Sequence, residues 1–114
     1  MPLGSLKGLG STAAGVAYTV FCTPTESITD NLPPGSHTSS QVTANVTGGQ
    51  EPYTFTWTKL SGGPIGISDS SAQVVTFNAS SGGGDLQATY EVEVEDNLAA
   101  TVTTTINVEF LFLE

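Results

Sequence analysis

Strict alternation of apolar and polar residues over residues 87–95 constrains the fold of this chain more than any other feature. Apolar residues occupy the even positions and polar or acidic residues the odd positions: Ala88, Tyr90, Val92 and Val94 against Thr89, Glu91, Glu93 and Glu95. Because side chains in a strand switch faces at every residue, this pattern predicts a strand with one buried and one solvent-facing side.

The same alternation recurs along the chain, and no window shows a sustained 3.6-residue period. We therefore expect an all-β fold, with strands that are separated by Gly- and Pro-containing turns. The predicted strands are residues 17–22, 41–47, 53–59, 73–77, 87–95 and 101–110. Residues 23–39, which contain three prolines, are predicted to form a long loop, and residues 1–16 an extended N-terminal arm. The chain thus divides into an arm, first strand and long loop (1–39) and a sandwich core with an apolar C-terminal strand (40–114).

Composition limits the class of protein and of partner. A chain of 114 residues is one domain's worth, long enough to bury a core, and its single cysteine, Cys22, excludes an internal disulfide. Eleven acidic residues against Lys7 and Lys59 give a formal net charge of −9. Because such a surface repels phosphates and anionic lipids, we expect neither a nucleic acid nor a membrane as partner.

A family resemblance rests on three sequence features. Trp57 lies mid-strand after GGQEPYTFTW, Tyr90 lies in DLQATYEV, and EVEVEDNLAATVTTTINVEF has the form of a closing hairpin. Over residues 41–110 the chain resembles immunoglobulin-like and PKD-like domains. The resemblance implies a two-sheet Greek-key sandwich, a tyrosine corner at Tyr90, and Trp57 and Tyr90 packed together as core anchors. Val92 stands where antibody-type domains carry a cysteine, and the glycine-aspartate signature of PKD domains is missing after Trp57.

Residues that could support catalysis are few. His37 is the only histidine and lies in the predicted Ser/Thr-rich loop, without a second histidine to complete a metal site. Cys22 ends an apolar run and is interpreted as a small buried hydrophobic residue. A strand follows Gly82–Gly84, whereas a phosphate-binding loop requires a helix. We expect no catalytic residues, no metal, no cofactor and no enzymatic activity.

Glu91, Glu93 and Glu95 are predicted to lie in a row on one strand face, about 7 Å apart, with Asp96 at its end. A solvated outer face is the favoured interpretation, and it would oppose edge-to-edge aggregation. A surface for a basic partner and a calcium site are the alternatives, although a flat strand face does not converge on an ion.

The two ends of the chain depart from the sandwich pattern. Alternation fails after residue 109, where both faces become apolar, and the Gly-rich arm carries leucines but few charges. Exposed apolar segments often dock to partners, and packing on the chain's own sandwich is the alternative. The candidate partner contacts are Leu3, Leu6, Leu9, Phe110, Leu111, Phe112 and Leu113.

Small, acidic, cysteine-poor immunoglobulin-like domains with a short arm resemble virion accessory proteins of tailed bacteriophages. Residues 1–21 lack an unbroken apolar run after a basic start, so we also expect no cleaved signal peptide. The resemblance implies a non-enzymatic capsid decoration (cement) protein that docks by its termini on the major capsid protein or another virion protein. It would act as repeated copies or a homo-oligomer, in virions assembled in the host cytoplasm.

Two alternatives to a decoration protein remain open. One is a tail, neck or fibre component of the virion. The other is a carbohydrate-binding or adhesive module of a bacterial surface protein, which predicts exposed aromatic residues. The aromatic residues of this chain fall mainly on the predicted inward faces, which disfavours the second alternative.

Overall fold

The computed structural model describes residues 17–113, and all regular structure in this range is β-strand. None of these residues is helical, so this part of the chain contains no helix able to cross a bilayer. The strands are β1 (Thr19–Thr23), β2 (Glu26–Leu32), β3 (Gly35–Thr38), β4 (Val42–Thr47), β5 (Thr54–Gly62), β6 (Gly66–Ile67), β7 (Val74–Val75), β8 (Phe77–Ser81), β9 (Leu86–Glu95) and β10 (Thr101–Phe112).

The strands form two packed layers. One layer is a four-stranded sheet in the order β2-β10-β9-β5. The other consists of the ladders β1-β4-β7 and β3-β8-β6, which continue each other because β3 leads into β4 and β7 into β8. At the junction, the Ser39 N–H donates to the Phe77 carbonyl (2.8 Å) and the Phe77 N–H to the Ser39 hydroxyl (2.9 Å). The expected all-β sandwich is confirmed.

The core lies between these layers and is built from the alternate residues of each strand. Val92, Val94 and Val108 from the four-stranded sheet face Val42 and Phe77 from the other layer, and all five are fully buried. Each of these strands has its polar residues on the opposite face, so the alternation seen in the sequence separates core from solvent.

An aromatic cluster sits at the centre of the core. Trp57 and Tyr90 are both 4% exposed, and the Phe77 ring centroid lies 6.1 Å from that of Trp57 and 4.9 Å from that of Tyr90. Phe77, from the opposite layer, therefore connects Trp57 and Tyr90, the two predicted core anchors. Edge-to-face and tilted contacts of this kind stabilise beyond the area that they bury.

The tyrosine corner expected at Tyr90 is wrong. A tyrosine corner bonds to the backbone a few residues upstream. The Tyr90 hydroxyl instead donates to the carbonyl of Ile65, 25 positions earlier, at 2.6 Å. It ties β9 to the segment just before β6, in the other layer.

The long loop predicted over residues 23–39 is also wrong, because this segment contains β2 and β3. The chain leaves β1 at the cis peptide bond Thr23–Pro24 and enters the other layer, where β2 pairs in parallel with β10. β2 has the polar sequence ESITDNL and pairs with one strand only within residues 17–113. Such an edge strand has little apolar alternation to reveal it.

The burial of residues in the C-terminal strand contradicts part of the predicted partner contacts. Phe110 and Phe112 are 0% and 6% exposed, so both belong to the chain's own core and are not free to dock. Leu111 is half-buried and Leu113 is 50% exposed, on the opposite face of the strand. Leu3, Leu6 and Leu9, with the whole predicted arm, lie outside the described residues.

Alanine substitutions of a buried and of an exposed residue in the C-terminal segment should differ in their effect on stability. We expect Phe110→Ala to lower the free energy of unfolding by about 3–5 kcal/mol, because it leaves a large cavity. Leu113→Ala should cost about 0.5 kcal/mol or less. Urea denaturation of both variants measures the difference, and equal losses would contradict the assignment of Phe110 to the core.

Candidate functional site at the loop end of the sandwich

Two loops and the start of β1 meet at one end of the sandwich. The β4–β5 loop (residues 48–53), the β9–β10 loop (residues 96–100) and Tyr18 are held together by hydrogen bonds. We call this region the clamped end. Loops on a rigid β-scaffold are common binding sites, because the scaffold fixes the positions of their side chains.

The carboxylate of Asp96 holds the two loops together. Its Oδ1 accepts the N–H groups of Leu98 and Ala100, both at 2.9 Å, and its Oδ2 accepts the Gln50 N–H at 3.1 Å. The Asn97 N–H donates to the Gln50 carbonyl at 2.8 Å, which adds a backbone bond between the loops. Asp96 is 7% exposed and is therefore a buried charge whose oxygens are occupied by backbone donors.

These contacts determine the pKa of Asp96. Burial raises the pKa of the carboxyl, whereas the hydrogen bonds from Ala100, Leu98 and Gln50 lower it, and the net result is a pKa below the ordinary value. The backbone donors favour the ionised form because a protonated oxygen can no longer accept these bonds fully. Asp96 is accordingly a structural anion of the loop end, and the prediction that it ends the outward row of carboxylates is wrong.

Two tyrosines fix the base of the clamped end. The rings of Tyr18 and Tyr53 are stacked, with centroids 6.4 Å apart, and both residues are half-buried. The Tyr18 hydroxyl lies 2.9 Å from the Val94 carbonyl, and the Tyr53 hydroxyl donates to the Gly48 carbonyl at 2.5 Å. Gly48 has φ of 77°, and a Cβ there would lie 2.5 Å from the Ala17 carbonyl oxygen, so this close approach requires glycine.

Leu98 projects from the tip of this bonded loop. It is 73% exposed, more than any other large apolar residue among residues 17–113. The loop is closed beneath it by the bond from the Asp96 N–H to the Ala100 carbonyl (2.9 Å) and by that from the Ala99 N–H to the Asp96 carbonyl (3.0 Å). An apolar side chain on a loop with a fixed backbone can bind a partner without the entropic cost of ordering that loop.

The other residues considered for chemistry are occupied by structural contacts. His37 lies on β3 and not in a loop, with its ring 5.7 Å from that of Phe112 and its Nε2 2.8 Å from the Pro33 carbonyl oxygen. Burial raises the pKa of the Cys22 thiol to about 11, so it is protonated at neutral pH. Within residues 17–113, no three His, Cys, Asp or Glu side chains come together as a metal site would require.

The glutamate row lies on the outer face of the four-stranded sheet, as the alternation predicted. Each glutamate of β9 is paired with one threonine on β5 and one on β10: Thr54–Glu95–Thr101, Thr56–Glu93–Thr103 and Thr58–Glu91–Thr105. The acids are therefore flanked by hydroxyl groups, and the row remains flat. The Asp96 carboxylate points away from this row and bonds to the loops of the clamped end, so it is not available as a calcium ligand on the outer face.

Only part of the hydrogen bonding at the clamped end has a signal in the local sequence. An aspartate followed by asparagine after a strand indicates a turn in which the carboxylate bonds to its own backbone, and two of the three bonds are of this local kind. The third partner, Gln50, is 46 positions away. No local pattern indicates that contact.

We expect Asp96→Asn to destabilise the protein at neutral pH and to flatten its acid dependence. Because the pKa of Asp96 is lower in the folded than in the unfolded chain, its stabilisation is complete above the unfolded pKa of about 3.9. It is lost as the pH falls through the folded pKa. Urea midpoints from pH 7 to pH 3 should therefore show a gap between the two proteins that closes in acid.

Glu93→Gln is the matched control for the loss of one charge on β9, since Glu93 is exposed and lies on the outer face. It should leave the neutral-pH midpoint near that of the unsubstituted chain. A gap for Asp96→Asn that stays constant over the whole pH range would contradict the role of its ionised carboxylate.

Comparison with known proteins supports the architecture. No family model matches the chain, and no curated protein gives a significant match. Among solved structures, the PKD domain of human KIAA0319 is similar over 95% of both chains, with a TM-score of 0.51 and 16% sequence identity. At this identity the similarity shows the fold alone. The immunoglobulin-like, PKD-like sandwich is thus confirmed, whereas the virion interpretation stays a prediction.

Proposed function

We propose that this chain is a non-enzymatic protein-interaction module that binds its partner through the clamped end. The observation that carries the proposal is Leu98, which is 73% exposed on a loop that the Asp96 carboxylate and the backbone hold in one conformation. A buried charge is costly unless it is fully paired, and here its pairing serves to order the loop that presents Leu98.

The surroundings of Leu98 indicate the chemistry of the partner. Glu51 and Glu95 are exposed at the same end, and the chain has a net charge of −9. A complementary surface would have an apolar pocket for Leu98 with basic or polar groups around it. Burial of one such anchor in a pocket commonly contributes a large share of the binding free energy.

The finer proposal is that the partner belongs to a bacteriophage virion, with the major capsid protein favoured and tail, neck or fibre proteins as alternatives. The support is the resemblance in size, acidity and cysteine content to accessory domains that decorate virions. Many copies would bind to a repeated site, during assembly in the host cytoplasm. Binding to the assembled state alone would stabilise that state by mass action.

The geometry changes how such a subunit would dock. β10 runs from Thr101, beside the clamped end, to Phe112 at the other end, so Leu113 lies about 40 Å from the clamped end. Docking by the clamped end and by Leu113 on one small site would require that distance to be bridged. We therefore assign partner binding to the clamped end alone and orient the rest of the sandwich away from the partner.

Leu98→Asp should weaken partner binding by about tenfold or more, because it places a charge in an apolar pocket. The measurement is co-sedimentation of tagged protein with phage particles, followed by titration against the isolated major capsid protein. Leu60→Asp is the matched control, since Leu60 is also exposed (52%) but lies far along β5 from the loops.

Equal binding of Leu98→Asp and the unsubstituted chain would exclude the clamped end as the binding surface. A chain that never sediments with particles would refute the virion partner, whatever the variants do.

A second candidate function, an adhesive module that binds carbohydrate, is favoured by one observation. The stacked, half-exposed rings of Tyr18 and Tyr53 lie at the clamped end, although the sequence suggested that aromatic residues face inward. Aromatic rings are common platforms for sugars.

Titration of the protein with an oligosaccharide panel tests this second function. An oligosaccharide whose affinity is kept in Tyr53→Phe and falls in Tyr53→Leu would support it, and the absence of binding would exclude it.

A further inference from the structure

We propose that residues 1–16 of one copy bind to the β2–β10 patch of a second copy and so link neighbouring copies in a directional series. The patch consists of Ile28, Leu111 and Leu113. It lies at the end of the sandwich opposite the clamped end, so the inference concerns a surface that the proposed function does not use.

The patch is an apolar area on the outer face of the four-stranded sheet. Ile28 pairs with Glu109 across β2 and β10, and Leu111 follows on the same face of β10. Ile28 is 52% and Leu113 50% exposed, whereas the alternate residues Phe110 and Phe112 point into the core. The Leu113 N–H donates to the Leu32 carbonyl at 2.7 Å, which keeps Leu113 beside β2.

The patch borders an open strand edge. Within residues 17–113, β2 pairs only with β10, so the outer edge of β2 has no neighbouring strand. An extended segment can bind such an edge through its backbone and place alternate side chains on the adjoining apolar face. An extended occupant with spaced apolar side chains therefore fits this surface.

The acidic residues around the patch favour an occupant without negative charge. Glu26, Asp30 and Glu109 surround the patch, and a second sandwich with its acidic surface would be repelled. Residues 1–25 contain no acid and include Lys7, whereas Lys59 already donates to the Gly63 carbonyl at 2.9 Å. The segment before β1 is therefore the part of a second copy with complementary charge, and it also contains Leu3, Leu6 and Leu9.

The length of the arm favours a neighbouring copy over the same copy as the source of the occupant. Ala17 is next to Gly48 at the clamped end, and the Ile28–Glu109 pair lies about 27 Å further along β10 from Thr101. Leu9 is eight residues before Ala17, which allows at most about 28 Å when fully extended. Ala17 is also in the other layer, about 10 Å away. In its own molecule Leu9 would fall short of the patch, and only Leu3 and Leu6, eleven or more residues before Ala17, could reach it. The arm of a neighbouring copy can place all three leucines on the patch.

An interface between an arm and a patch is heterologous, because each copy contributes a different surface at each contact. Such interfaces close into rings or continue as open series. Self-association of this kind has a specific signature: a copy without a working arm and a copy without a working patch can still pair once, and the pair cannot grow.

The experiment uses the full chain in sedimentation velocity from about 1 to 100 μM. The arm variant carries Leu3→Ser, Leu6→Ser and Leu9→Ser, and the patch variant carries Ile28→Lys. We expect the unsubstituted chain to associate with increasing concentration. Each variant alone should show a dissociation constant raised about tenfold or more. Their mixture should form one-to-one dimers and nothing larger.

Phe21→Lys is the matched control, since Phe21 is also 52% exposed but lies on β1 in the other layer. It should associate like the unsubstituted chain. Leu113→Lys is a second patch variant in case Ile28→Lys does not fold, which circular dichroism would reveal. Both folded patch variants should still bind the partner of the clamped end, and Leu98→Asp should still self-associate.

Three results would overturn the proposal. They are an unsubstituted chain that is monomeric at every concentration, a folded patch variant that associates normally, and a mixture of arm and patch variants that forms no dimer. None of these results bears on partner binding by Leu98, which is measured with a different protein.

Discussion

The pairing of β9 with β10 is the contact on which the rest of the structure depends. The two strands are joined in register over ten residue pairs, from Thr101–Glu95 to Phe110–Leu86. β9 also carries β5 on its other side, and β10 carries β2, so this hairpin forms the centre of the four-stranded sheet. Its register sends valines, Ile106 and Tyr90 inward and places glutamates between threonines outside. A shift of the pairing register by one residue would turn the apolar side chains outward and the glutamates inward.

The hairpin was the part of the fold that the sequence predicted best. The strands expected at residues 87–95 and 101–110 correspond to β9 and β10, because half-buried strands leave a period of two in the sequence. β2 and β3 were missed for the opposite reason. Both are polar, with one neighbour each, and the side chains of β2 contribute only Ser27 and Leu32 to the buried interior. Pairing with β10 across some 80 positions decides the conformation of β2, and pairing with β8 across some 40 positions decides that of β3.

The candidate site was less predictable than the fold, because its contacts are distant in sequence. The sequence predicts Asp96 as the end of an acidic row, whereas in the structure its carboxylate accepts the N–H of Gln50, 46 positions away. At the C-terminus, the run Phe110–Leu113 is apolar on both faces, and local sequence does not tell which face the chain itself covers. Phe110 and Phe112 are buried in the core, whereas Leu111 and Leu113 lie beside Ile28 on the outer face of the sheet. The sequence thus identifies the segment, and the structure divides it into a buried and an exposed face.

The distribution of charge connects these observations. Every acid of the chain follows residue 25, and one of the two lysines precedes it. Two sandwiches therefore repel each other at β2, with Glu26 and Asp30, and along the glutamates of the β9 outer face. Such repulsion protects open strand edges against indiscriminate pairing. A segment without acids escapes the repulsion, so the acidic surface discourages contact between two sandwiches while it permits the proposed contact through residues 1–16. Specificity then arises as much from what the acidic surface rejects as from what the apolar patch accepts.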